Sequence, residues 1–208
     1  MKTKINLSKI LGSACLVAAI TIGGQACNNG TANDQPKAVD TSNTDPKERA
    51  EDANDAKMTS DSSEKNAQFL VDAAEINMEE IQLGELAQKN GSMKGVKELG
   101  KMMIKEHTKA LADLKALAAK KNITSPVSLT EDGQEAYKKL SDEKGLDFDK
   151  SYAGKMVDGH ESAIDKFEKA ANNLSDADIK SWAASMLPGL KTHLEHSKMV
   201  EEECKKMK

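Results

Sequence analysis

Aromatic residues are scarce in this sequence: one Trp, two Tyr and three Phe among 208 residues. β-Sandwiches and barrels rely on aromatic and β-branched strand positions, so the scarcity argues against them. Arginine is scarcer still, with Arg49 alone. The formal charge is −4, and loss of Lys2, Lys4 and Lys9 with a leader would take it to −7. Such an acidic chain is poorly suited to hold nucleic acid or anionic lipid through surface charge. Of three cysteines, Cys15 and Cys27 lie near the start and Cys204 near the end. If Cys27 carries a lipid, Cys204 has no partner, which excludes a disulfide framework. No nucleophile–base pair, phosphate loop or dinucleotide fingerprint appears, so hydrolase and nucleotide chemistry have no support.

Long apolar runs are also missing. The longest, Ile10 to Ile22, is broken by Gly12 and Ser13 and is too short for a comfortable membrane span. With the basic start before it, residues 1–26 read as a signal peptide. The leader ends in Gly24-Gln25-Ala26-Cys27, small residues followed by the cysteine that is acylated in a bacterial lipobox. Cleavage before Cys27 would leave a lipoprotein anchored in the cell envelope, periplasmic or at the outer membrane, with the membrane as its partner through the lipid. Residues 27–62 are mainly Asn, Asp, Thr, Ser, Lys, Ala and Pro. Their composition predicts a disordered tether with a reach on the order of 30–35 Å.

What the chain has in abundance is Ala, Leu, Lys, Glu and Met, all helix formers. Residues 63–208 carry them in heptads. The first stripe is Phe69, Ala73, Ile76, Glu80, Leu83, Ala87, and Asn90-Gly91-Ser92 ends it and caps the next helix. The second is Val96, Gly100, Met103, His107, Ala110, Leu114, Leu117. A loop with Pro126 follows, then a short helix capped by Thr130 and ending near Gly145. The third stripe is Ala153, Met156, His160, Ala163, Phe167, Ala170, Leu174. Ser175 is expected to cap the last helix, whose stripe is Ala183, Met186, Leu190, His193, Ser197, Val200, Cys204. The fold is therefore all-α, a four-helix bundle with a short extra helix between helices two and three. That long connection can either cross the bundle or fold back beside it, and the sequence leaves both open.

Each stripe holds one ionisable residue at a core-facing position: Glu80, His107, His160 and His193. Counted from the helix ends, their depths differ by roughly one turn, about 6–7 Å, so all four can meet near the midplane. An unpaired imidazole or carboxylate in a bundle core is costly. Three imidazoles and a carboxylate are a sensible ligand set for one transition metal ion, Zn, Mn, Fe or Cu. Two other readings stand beside it: a closed polar network that sets register, and rotation of some of these residues to the bundle edge. His196, Glu106 and Glu161 read as rim or solvated positions, Trp182 and the methionines as packing, and Cys204 as inert. Pro188 inside helix four predicts a kink one turn before His193.

Glu80-Ile81-Gln82-Leu83-Gly84-Glu85-Leu86-Ala87, Met103-Ile104-Lys105-Glu106-His107, Phe148-Asp149 through Tyr152 to His160, and Leu187-Pro188 followed by His193 form a recognisable set. Over about residues 63–205 the chain resembles the bacterial exported "domain of unknown function four-one-four-two" family, whose members are often labelled predicted outer membrane proteins. The resemblance implies a ferritin-like bundle and supplies no activity. The ferritin di-iron pattern needs a Glu three residues before two of its histidines. Here Ile104 precedes His107 and Leu190 precedes His193, so a mononuclear site fits better than a di-iron oxidase or an iron store. The expected function is a non-catalytic envelope lipoprotein that binds a metal ion or small ligand in its core. The alternatives are a structural or stress-related interaction module with a sealed polar core, or a metal-dependent oxidoreductase.

Overall fold

The computed structural model describes residues 44–207. The leader, Cys27 and the first part of the expected tether lie outside the described residues. Six helices follow: α1 Pro46–Asp55, α2 Asp61–Asn90, α3 Lys94–Lys120, α4 Glu131–Asp142, α5 Gly145–Asn173 and α6 Ala177–Lys206. Among the described residues none is long and apolar enough to cross a membrane.

The four long helices α2, α3, α5 and α6 are those that the heptads predict. Every stripe position is buried except Ile76, Ala110, Leu117, Leu174 and Met186, which are half-buried. α2 packs on α3 and α5 on α6; the two hairpins then meet through α2–α5 and α3–α6. Glycine allows the α2–α3 approach: a Cβ on Gly84 would lie 2.7 Å from the Gly100 carbonyl oxygen.

Side-chain bonds between helix ends fix the connection that the sequence left open. At one end of the bundle, Asn66 near the start of α2 donates to Ser175 at 2.8 Å. At the same end Lys121, just after α3, pairs with Asp176 at the start of α6 at 2.6 Å. At the other end, Asn90 closing α2 donates to the Glu143 carbonyl before α5 at 3.1 Å. The segment from α3 to α5 therefore runs the full length of the bundle, carrying α4 along α2 and α5. A single long crossover of this kind is how ferritin-like bundles are connected.

Three expectations are corrected. The tether does not extend to residue 62, because α1 is helical and packs on α2. Asp45 caps it, Pro46 opens it, and Ala50 and Asn54 are buried. Asn54 then exchanges two hydrogen bonds with the backbone of Thr124, at 2.9 and 2.7 Å. The cap of α6 is Asp176, not Ser175: its carboxylate accepts from the Asp178 and Ile179 N–H groups at 3.0 and 3.1 Å. The start of α3 has no cap from its own side chains. Asp149, fully buried on α5, accepts instead from the Ser92 and Met93 N–H groups, both at 2.9 Å, and from the Ser92 hydroxyl. Thr130 caps α4 as expected. α6 runs on through Pro188.

The core divides into two apolar halves. One holds Phe69, Leu70, Leu114, Phe167 and Ile179, with Trp182 against the two phenylalanines. The other holds Leu83, Met103, Phe148, Tyr152, Met156 and Cys204. Between them in sequence, on every long helix, lies a buried polar position: Asn77 and Glu80, His107, His160, and His193.

Candidate metal centre

His107 on α3, His160 on α5 and His193 on α6 converge from three helices. One ligand nitrogen from each lies within 4.8 Å of the others. Ring centroids are 5.2 to 5.7 Å apart. None of the three side chains has rotated to the bundle edge, as all are buried.

The hydrogen bonds behind two rings decide where their protons sit. The Asn77 amide group donates to the Ala73 carbonyl at 2.6 Å, which turns its oxygen toward His107. That oxygen lies 3.0 Å from His107 Nδ1 and can only accept, so Nδ1 carries the hydrogen. His160 Nδ1 lies 2.7 Å from the Met156 carbonyl oxygen, and the same reasoning applies. Both rings therefore present a bare lone pair at Nε2. Neither Nε2 has a hydrogen-bond partner, nor does His193 Nδ1.

Electrostatics hold the rings neutral. Burial pushes His107 well below the usual imidazole range, and positive charge on His193 or His160 would lower it further. Burial also lowers His160, against the pull of the Met156 carbonyl. His193 is pushed down to about 4, first by burial and then by His160. Neutral imidazole is the form that ligates a metal. Of the neutral rings only His193 has a proton free to aim at a neighbour, and two bare lone pairs await one. The rings thus cannot satisfy each other. A cation bound at about 2.0–2.1 Å from each nitrogen would satisfy all three, drawing them to roughly 3.3 Å apart.

Glu80 does not join the three nitrogens. Its Oε1 lies 3.8 Å from His160 Nδ1, the nitrogen already committed to the Met156 carbonyl, and so stands behind that ring. Its Oε2 is buried without a partner. Burial, and then the charge of Glu79, push its carboxyl up to about 8 against the pull of Lys155. Both effects favour the protonated carboxyl. The Tyr152 hydroxyl is also buried and unpartnered, and burial and Glu80 raise it well above the usual range.

A cavity of 240 Å³ reaches His107 and His193 from the side. Asn77, Phe167 and Leu190 form part of its wall, with Lys109 and Asp113 at the exposed rim. Gly189 borders it, and a Cβ there would meet nothing within 4 Å. Pro188 precedes Gly189 at the edge of this opening onto the histidines. A small ligand could reach His107 and His193 by this route.

Asn77 is the site residue that sequence reasoning missed. Its signal was available, since it lies four residues after Ala73 and three before Glu80, beside the stripe position Ile76. The readings of the neighbours hold. Glu106 pairs with Lys105, Glu161 pairs with Lys198, and His196 is exposed. Cys204 is buried, its thiol raised mainly by that burial.

No curated protein and no solved structure matches the chain. Residues 48–200 match the family model described as Domain of unknown function (DUF4142). The match begins inside α1, in keeping with the packing of that helix on the bundle. It covers α2, α3, α5 and α6 as far as residue 200, with the three histidines, and the chain therefore belongs to the DUF4142 family.

Proposed function

We propose that this protein is a cell-envelope lipoprotein, held at a membrane by lipid on Cys27, whose bundle binds one transition metal ion without catalysing a reaction. The observation that carries the reading is the trio of buried, unpartnered imidazole nitrogens, two with their tautomer set by Asn77 and by the Met156 carbonyl. Three neutral imidazoles suit Zn, Cu or Fe ions, and Mn less well. Zinc commonly takes three protein ligands and leaves a fourth position open. The cavity beside His107 and His193 is where that position would face. Glu80 serves behind His160 as a neutral carboxylic acid.

The test is thermal unfolding of the protein with and without a strong chelator, then with Zn, Mn, Fe or Cu ions restored singly. An ion at 100 times its dissociation constant stabilises the fold by about 2.7 kcal/mol. Chelation should lower the melting temperature, one metal should restore it, and His107→Ala should abolish the response. A melting temperature indifferent to both treatments rejects the metal site. The anchor is tested separately: wild type should incorporate labelled fatty acid and Cys27→Ser should not.

A further inference from the structure

The chain has four histidines, and the one outside the buried trio is not isolated. His196, exposed on α6, places Nδ1 3.3 Å from the Met102 sulfur on α3. Met199 follows His196 by three residues, hence on the same helix face. It is 62% exposed, one of three large apolar side chains so placed among the described residues. Met102, His196 and Met199 border one groove of 450 Å³ between α3 and α6. Burying a thioether gains free energy, so packing gives no reason to leave one exposed beside an imidazole.

We propose that Met102, His196 and Met199 form a surface site for a soft monovalent cation, Cu(I) or its surrogate Ag(I). Thioether sulfur is a poor ligand for hard divalent ions and a good one for soft ions, and imidazole binds both. Two thioethers and one imidazole therefore select by softness. In a three-coordinate site with bonds of about 2.0 Å to nitrogen and 2.3 Å to sulfur, the two donors stand roughly 3.7 Å apart. The Met102–His196 pair needs to open by only a few tenths of an ångström from its 3.3 Å. Met199, long and unbranched, closes the third side by rotation about its own bonds. Glu98 and Glu203 line the same groove and favour the approach of a cation, while Lys94, paired to Glu98 at 3.2 Å, offsets part of that charge. The site uses none of the buried histidines and is independent of the metal centre proposed above.

The experiment is anaerobic competition for Cu(I) between the protein and a chromophoric Cu(I) chelator. Cys15, Cys27 and Cys204 are replaced by Ser and His107 by Ala throughout, so that neither a thiol nor the buried centre competes. The double variant Met102→Leu with Met199→Leu keeps side-chain volume and should weaken Cu(I) binding at least tenfold. Met199→Leu alone, at an exposed position, should weaken it less, and Lys101→Ala, exposed on α3 outside the groove, should leave it unchanged. X-ray absorption of the Cu(I)-loaded protein with its methionines intact should show sulfur at about 2.3 Å from the ion. Equal affinity in the double variant or a spectrum without a sulfur shell would overturn the proposal.

Discussion

The aromatic half of the core and the histidine layer beneath it are built on opposite terms. Around Phe69, Phe167 and Trp182 the rings meet at 5.1 to 6.0 Å. Apolar residues from α2, α5 and α6 close around them. The histidine rings stand at similar separations, yet one buried nitrogen of each ring and one Glu80 oxygen lack partners. The first region gains stability from burial; the second gives some of it up. A leucine at each of its positions would have made a continuous core. The cost of the layer is the physical argument that it serves something other than folding.

The largest effect should come from the aromatic half. Phe167→Ala removes a 2%-exposed ring and should cost about 3–5 kcal/mol of stability by denaturant titration, with the metal response retained in whatever remains folded. Asp149→Ala comes next, since it orphans two backbone N–H groups and a hydroxyl; a loss of about 3 kcal/mol is expected from the same measurement. A loss below 1 kcal/mol there would show that water can replace the carboxylate.

The layer should answer to pH where the aromatic half does not. In chelator-treated protein the three histidines bind protons less readily when folded than unfolded. Stability should therefore fall as pH drops from the usual imidazole value, about 6.5, toward the folded His193 value of about 4. Glu80, raised to about 8, works the other way: folded protein holds its proton where unfolded protein has lost it, so stability falls as pH rises from 4.5 to 8. Above about pH 7.5 Glu80 acts alone, at no more than about 1.4 kcal/mol per pH unit. The chelated protein should be most stable near pH 7, and Glu80→Gln should flatten the alkaline side. A Glu80→Gln curve with the wild-type slope above pH 7 would show that the carboxyl is ionised in the fold. The smallest effect concerns the α1 boundary. Mild proteolysis should leave a fragment beginning near residue 45; one beginning near residue 63 would show that α1 detaches readily.

The four long helices were legible because each buries a stripe with a heptad repeat, and periodicity is what sequence displays. α1 was not legible because it buries only Ala50 and Asn54 and is held by polar contacts to distant residues. Lys47 to Asp72 at 2.7 Å and Asn54 to Thr124 have no periodic signature. Its Asp45-Pro46 start was a local signal that an acidic, polar composition concealed. The Asp149 cap on α3 bridges residues 57 apart in sequence, a distance that local capping rules do not reach. The same limit applies at the site. Stripe positions placed His107, His160 and His193 together correctly. They put Glu80 at a suitable depth, but a stripe gives a face and not the direction of a side chain, and Glu80 lies behind His160.

The tautomers set by Asn77 and by the Met156 carbonyl carry a consequence for how the site would exchange its ion. A ring already bare at Nε2 has no proton to shed when a metal arrives. Loading at neutral pH would then be electrically a simple addition, the site gaining the full charge of the ion. Its calorimetric heat would be the same in buffers of different ionisation enthalpy. Thiolate sites, which release protons on binding, grip harder as the medium turns alkaline. This one would hold its ion with constant strength across the mildly acidic to neutral range.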